Sequence, residues 1–215
     1  MPPILGVMTQ LDKNILKASE ELEAQLVSIL EVPLYDNSQR MRVSHLASSV
    51  ALEHGTSCRT LLAVTMVSSA LVVHRAQYEA TVRAVWALYA SSDLHINKLG
   101  ATLDVEAEQD AKNIPLVAEM MAGLATKCPA PAYHALANFK ENSWRALNSF
   151  VHAGIHPLHR QESGYPVKLA EQILRNCNGL AVVAGMQAAV VTGRQQFVSQ
   201  IGALQTTFRK CLPLQ

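Results

Sequence analysis

The sequence predicts an all-α fold on three observations. No segment alternates apolar and polar residues between turn signals, as a half-buried strand would. Alanine, leucine, glutamine, glutamate and methionine, which helices tolerate best, are plentiful. The amphipathic and apolar stretches begin and end at proline, glycine or side chains that cap helices. With 215 residues, 49% of them hydrophobic, the chain can bury a sizeable core. The expectation is a single-domain helical bundle of about six to seven helices over residues 1–215.

A first amphipathic helix runs from about Asp12 to Glu31 and stops ahead of Pro33. A second begins near Asn37 or Ser38 and ends at His54-Gly55, a helix-plus-glycine stop. Thr56 or Ser57 caps a third, which runs without proline or glycine to about Ser91 and forms the central mast. The polar stretch SSDLHINKLGATLD breaks the pattern at Gly100, and Val105 to Ala125 is helical except where Pro115 kinks or splits it. Pro129 and Pro131 mark a loop ahead of a helix from about Ala132 to Ala153. The run IHPLHRQESGYP reads as a loop, and helices over Val167–Thr192 and Gln195–Leu212 complete the chain. In this reading the helices of 12–54 pack on a 57–192 core, and 195–212 adds a C-terminal helix.

Composition removes several function classes. Eighteen basic against seventeen acidic residues leave a net charge of +1, so no global field favours nucleic acid or an anionic membrane, and a polyanion must be held by a local site. The cysteines, Cys58, Cys128, Cys177 and Cys211, are far apart without a CxxC pair, which reads as reduced thiols acting as small core residues in a cytoplasm. The N-terminal MPPILGVMTQLDKN lacks the pattern of a signal peptide. The apolar runs Leu61–Val73 and Leu180–Val191 fall short of the ~20 residues that span a bilayer. The expectation is a cytoplasmic chain off the membrane. No glycine-rich phosphate loop, G-x-S-x-G elbow or dinucleotide fingerprint occurs, so no cofactor is expected.

Two stretches carry candidate chemistry. Between Thr60 and Ser91 the only charged residues are Arg75, Glu79 and Arg83. A helix apolar nearly all round is buried, so these charges are expected in or beside the core, with Arg75 and Glu79 paired four residues apart. The second stretch is RALNSFVHAGIHPLHR, Arg145 to Arg160. At ~100° per residue, Arg145, Asn148, Ser149 and His152 fall at about 0°, −60°, +40° and −20°, on one helix face. Trp144, Leu147, Phe150 and Val151 lie opposite and would pack the helix. A guanidinium and an imidazole two turns apart can bind a phosphate and move a proton near neutral pH. A polar surface face, with His152 suited to the helix C-terminus, explains the same spacing. His152, His156 and His159, spaced HxxxHxxH, offer a rival reading as metal ligands, against which Pro157 disfavours helical geometry at His156. His45, His54, His74, His95 and His134 are scattered and read as structural or exposed.

The Arg-x6-His arrangement of Arg145 and His152 resembles that of the HEPN superfamily, α-helical bundles whose ribonuclease members carry Arg, four to six residues, then His near the end of a late helix. The mast with Arg75, Glu79 and Arg83 and the trailing SFVHAGIHP add to the likeness, which covers about Ser57 to Thr192. The resemblance implies metal-independent RNA cleavage by the 2′-hydroxyl, with His152 in proton transfer and Arg145 on the phosphate. Active members often place a polar residue after the Arg; here Ala146 stands there, and Asn148 or Ser149 would substitute. Arg75, Glu79, Arg83 and His156 are supporting polar residues. The resemblance further implies a homodimer with a shared cleft, RNA or nucleotide as ligand, and a bacterial toxin–antitoxin or phage-defence effector with a cognate antitoxin or regulatory partner. The alternatives are a non-catalytic helical interaction protein and a histidine-based metal-binding bundle.

Overall fold

A computed structural model describes residues 11–213, without the side chains of residues 106 and 111; the reading of the N-terminal segment falls mostly outside them. Among the described residues there are ten α-helices, three short 3-10 turns and no strand, so the all-α expectation holds. The helices are α1 (Lys13–Val27), α2 (Gln39–Ala63), α3 (Val67–Tyr89), α4 (Asp93–Leu99), α5 (Val105–Asp110), α6 (Val117–Lys127), α7 (Ala130–Val151), α8 (Ile155–Ser163), α9 (Val167–Val190) and α10 (Gln195–Thr207). The count exceeds the six to seven expected because the polar stretch after Ser91 forms α4, the helix expected over Val105–Ala125 is split at Pro115 into α5 and α6, and the segment read as a loop forms α8.

Local chemistry accounts for several boundaries. Asp12, Ser38 and Ser92 cap α1, α2 and α4 by accepting a backbone N–H from the first turn. Pro115 separates α5 from α6, where the Glu119 carboxylate reaches back to the Leu116 N–H at 2.8 Å. Pro131 sits in the first turn of α7, where its missing N–H costs nothing. The same rule corrects the reading of α8. Pro157 is its third residue, inside the first turn, so His156 is helical, and its N–H is taken by the Ser149 hydroxyl at 3.1 Å. Gly154 permits this turn, because a Cβ there would lie 2.7 Å from Ser149 Oγ.

The mast is the larger correction. Gly55 does not end a helix: α2 runs through it to Ala63, and the chain reverses at Val64–Met66 into α3, with neither glycine nor proline at the bend. The stop is a backbone motif in which the Met66 N–H bonds the Leu61 carbonyl at 2.8 Å and the Thr65 N–H bonds Leu62 at 3.1 Å. It requires left-handed backbone at Thr65 (φ 63°), a conformation a β-branched residue adopts at a cost of about 1–2 kcal/mol. Ala153 (φ 49°) closes α7 in the same way. Sequence punctuation therefore missed the bend at Thr65, which uses no glycine, whereas α7 ends at Val151, close to the expected Ala153. At the C-terminus, α10 ends at Thr207 and a 3-10 turn at Arg209–Cys211 replaces the last expected turns.

Helices α2 and α3 form an antiparallel hairpin against which α9 packs, and α9 is flanked by α1 and α10. This side holds the larger apolar cluster, including Leu22, Leu26, Leu62, Leu71, Leu174 and Ile201. The second half of α3 packs instead on α6 and α7, where Tyr78, Val82, Trp86, Met120, Leu124 and Leu136 meet. Phe139 of α7 touches both clusters. No helix among the described residues is long and apolar enough to cross a membrane.

Candidate functional site

Helix α7 turns its apolar stripe inward and leaves its polar face in solvent. Leu136, Leu147 and Phe150 are buried, whereas Arg145 and His152 are exposed and Asn148 and Ser149 half-buried. His152 is the C-cap residue, its N–H bonded to the Asn148 carbonyl at 3.2 Å. Among the described residues, neither the Arg145 nor the His152 side chain has an ion pair or hydrogen bond within the chain. Ser149 is committed to the turn into α8, and the Asn148 Oδ1 is buried with no partner among the described residues. Val151, placed with the packing residues from its helical angle, is exposed at the end of α7.

Arg145 also stands at the edge of an open groove of about 520 Å³ between α6 and α7, lined by Met121, Tyr133, Lys140, Glu141 and Trp144 among others. Under one wall Arg75 lies over the Trp144 ring at 4.6 Å and pairs with Glu79 at 2.9 Å. The pairing expected on α3 is thus present and ties that helix to α7. It is not deep: the side chains are 19% and 37% exposed. Arg83 corrects the expectation of a core charge, since it is exposed without an ion pair among the described residues. Arg40 is committed elsewhere, to Asp93 at 2.6 Å and the Ala87 and Ser91 carbonyls. The HxxxHxxH histidines do not assemble. His152 ends α7, while His156 and His159 lie on α8, beyond the left-handed bend at Ala153.

A second polar region lies inside the bundle, where α2, α3 and α9 meet. On α3, His74, Gln77 and Thr81 recur at three- and four-residue spacing and are all buried. The Gln77 amide donates to the Cys177 carbonyl at 3.0 Å, and its oxygen faces His74 Nδ1 at 2.9 Å. The Cys177 thiol faces the Gly55 carbonyl at 3.4 Å. Cys58, His74 and Cys177 bring two sulfurs and a ring nitrogen within 4.8 Å of one another. Burial lowers the His74 pKa to about 4, opposed by its Gln77 hydrogen bond, so the ring is neutral at physiological pH. The hydrogen bond between the thiols holds Cys58 well above the usual thiol range, helped by burial, and the same bond lowers Cys177. Beside the thiols, Arg59 pairs with Glu23 of α1, which also accepts from Thr56.

Nothing in the spacing joins these residues: Gln77 and Cys177 are 100 positions apart. The legible signal was local. His74, Gln77 and Thr81 share one face of a helix that is otherwise mostly apolar, a pattern that places polar groups in a core.

The fold and its surface define an all-α helical protein with an exposed arginine and histidine on one helix, neither paired among the described residues, and a groove lined in part by Tyr133 and Trp144 beside the arginine. The chain belongs to the family of unknown function DUF6988, which matches residues 48–214 and so takes in most of α2 and all of α3 to α10. Comparison with curated proteins and with solved structures finds no significant match.

Proposed function

We propose that the exposed face of α7 binds RNA and cleaves it without a metal ion, with Arg145 on the phosphate and His152 in proton transfer. The observation that carries this reading is that both side chains are exposed and unpaired among the described residues, so no internal partner accounts for them. The adjoining groove supplies what a nucleotide needs: the rings of Tyr133 and Trp144 for a base, Lys140 and Arg145 for phosphate. The Arg-x6-His resemblance to HEPN ribonucleases points the same way.

In the reaction, His152 takes the proton of a 2′-hydroxyl, whose oxygen attacks the adjacent phosphorus. The P–O5′ bond breaks, the 5′-oxygen receives a proton, and a 2′,3′-cyclic phosphate remains. Arg145 offsets the charge that builds on the phosphoryl oxygens. A homodimer suits this chemistry, because a second His152 would supply the departing oxygen's proton. Exposed Val151, Ile155 and Leu158 flank His152 and offer apolar surface to a second copy. An effector role in toxin–antitoxin or phage-defence systems rests on the resemblance.

The test is RNA incubated with the wild-type chain, Arg145→Ala and His152→Ala, each with and without EDTA, alongside light scattering for the dimer. Cleavage by wild type in EDTA that both substitutions abolish supports the reading. RNA that binds but stays intact, with binding lost in Arg145→Ala, leaves a binding protein. A folded chain that neither binds nor cuts leaves the helical interaction protein.

A further inference from the structure

We infer that Cys58, His74 and Cys177 form a buried site for one thiophilic divalent ion of the zinc class, which staples α2, α3 and α9. Two observations support it. The first is the cluster: two thiol sulfurs and an imidazole nitrogen within 4.8 Å, all three residues buried, each from a different central helix. The second is an unpartnered atom. His74 is 2% exposed, and its Nε2 has no hydrogen-bond partner among the described residues.

The tautomer follows from the neighbours. The Gln77 amide nitrogen donates to the Cys177 carbonyl, so the amide oxygen faces His74 Nδ1. An oxygen only accepts, hence Nδ1 carries the proton and Nε2 holds a bare lone pair. A ring with one nitrogen donating to a carbonyl and the other free is the arrangement metal-bound histidines adopt, since the outer hydrogen bond fixes tautomer and orientation. Burial keeps the ring neutral, as a ligand must be.

Charge selects the ion. Two thiolates, one neutral imidazole and a divalent cation sum to zero, and the adjacent Arg59–Glu23 pair is also neutral, so the loaded site buries no net charge. Thiolate and imidazole together suit zinc rather than magnesium or calcium, which take oxygen ligands. Binding releases the thiol protons that remain. The Gly55 carbonyl oxygen, 3.4 Å from the Cys177 sulfur, stands beside the cluster as a donor for a further position. This site shares no residue with the α7 face, so either can fail alone.

The experiment uses the full chain, reduced and stripped with chelator, titrated with Zn²⁺ alone against a chromophoric competitor, and separately with Co²⁺ followed by absorption. One equivalent of Zn²⁺ per chain is expected, with a thiolate-to-cobalt charge-transfer band in the near ultraviolet. Cys58→Ser and Cys177→Ser should each weaken binding at least a hundredfold, Gln77→Leu roughly ten- to a hundredfold through loss of ring orientation, and Cys128→Ser not at all. If the cysteine variants do not fold, the wild-type cobalt spectrum still decides, because a bound ion without thiolate bands lies elsewhere. No Zn²⁺ uptake by the folded wild type, or full uptake by both cysteine variants, overturns the site. Uptake of Cu⁺ but not Zn²⁺ overturns the divalent assignment.

Discussion

The surface of α7 and the seam between α2, α3 and α9 both hold arginine, histidine and amide side chains, yet they treat them oppositely. On α7, Arg145 and His152 stand in solvent and spend nothing on the fold. In the seam, Arg59, His74 and Gln77 are buried, and most of their polar atoms are matched: the Gln77 amide nitrogen donates to the Cys177 carbonyl at 3.0 Å and its oxygen faces His74 Nδ1 at 2.9 Å. A polar group withdrawn from water costs free energy unless something replaces the lost hydrogen bonds, so the seam is tightly specified while the surface is free to be chosen for a ligand. The difference teaches that residue type alone does not mark a site; the state of its partners does.

Substitutions should separate the two regions by magnitude. The largest effect is expected at Glu23→Ala, which strands Arg59, 6% exposed, and should lower stability by about 3–5 kcal/mol in urea unfolding. A loss below about 1 kcal/mol would mean that water reaches Arg59 and that the seam resembles the surface.

Acid gives the next effect. Metal-free His74 has a folded pKa of about 4 against an ordinary 6.5, so the unfolded chain binds the extra proton between these values. Stability should therefore rise with pH from about 4 to 6.5 and level off above, with His74 contributing roughly 3 kcal/mol of that rise. The His74→Leu chain, unfolded at each pH in chelator, should lose most of this slope, while His152→Ala keeps it.

Gly55→Ala comes third. A Cβ there would sit 2.9 Å from Gln77 Nε2, an amide held on both sides by His74 and Cys177. We expect a loss of about 1–3 kcal/mol, read by thermal unfolding, despite alanine's better helix propensity. A stabilised variant would show that the amide swings away freely.

At the surface the effects shrink. Glu79→Ala breaks a pair with Arg75 that is partly solvated, and Arg75 keeps its place over Trp144, so about 1 kcal/mol or less should be lost. Arg145→Ala and His152→Ala should each stay within about 0.5 kcal/mol of wild type in the same assay while removing RNA cleavage or binding. A large destabilisation at either would assign it to the fold and end the comparison.

What the sequence determined by itself is the part that depends on neighbours along the chain. The all-α class, the helix from Lys13, the split at Pro115 and the long helices α7 and α9 follow from periodicity, caps and prolines, all acting within a few residues. The shared face of Arg145 and His152 is of the same kind, because helical geometry alone sets it. Tertiary structure decided the rest. Gly55 reads as a stop, but close packing of Gln77 makes it an interior glycine; the real bend at Thr65 has no signature, because packing of α2 against α3 holds an unfavoured backbone in place. Cys58, His74 and Cys177 look scattered because their meeting depends on how three helices pack, and that is set by the burial of whole apolar faces, not by any spacing between the three residues.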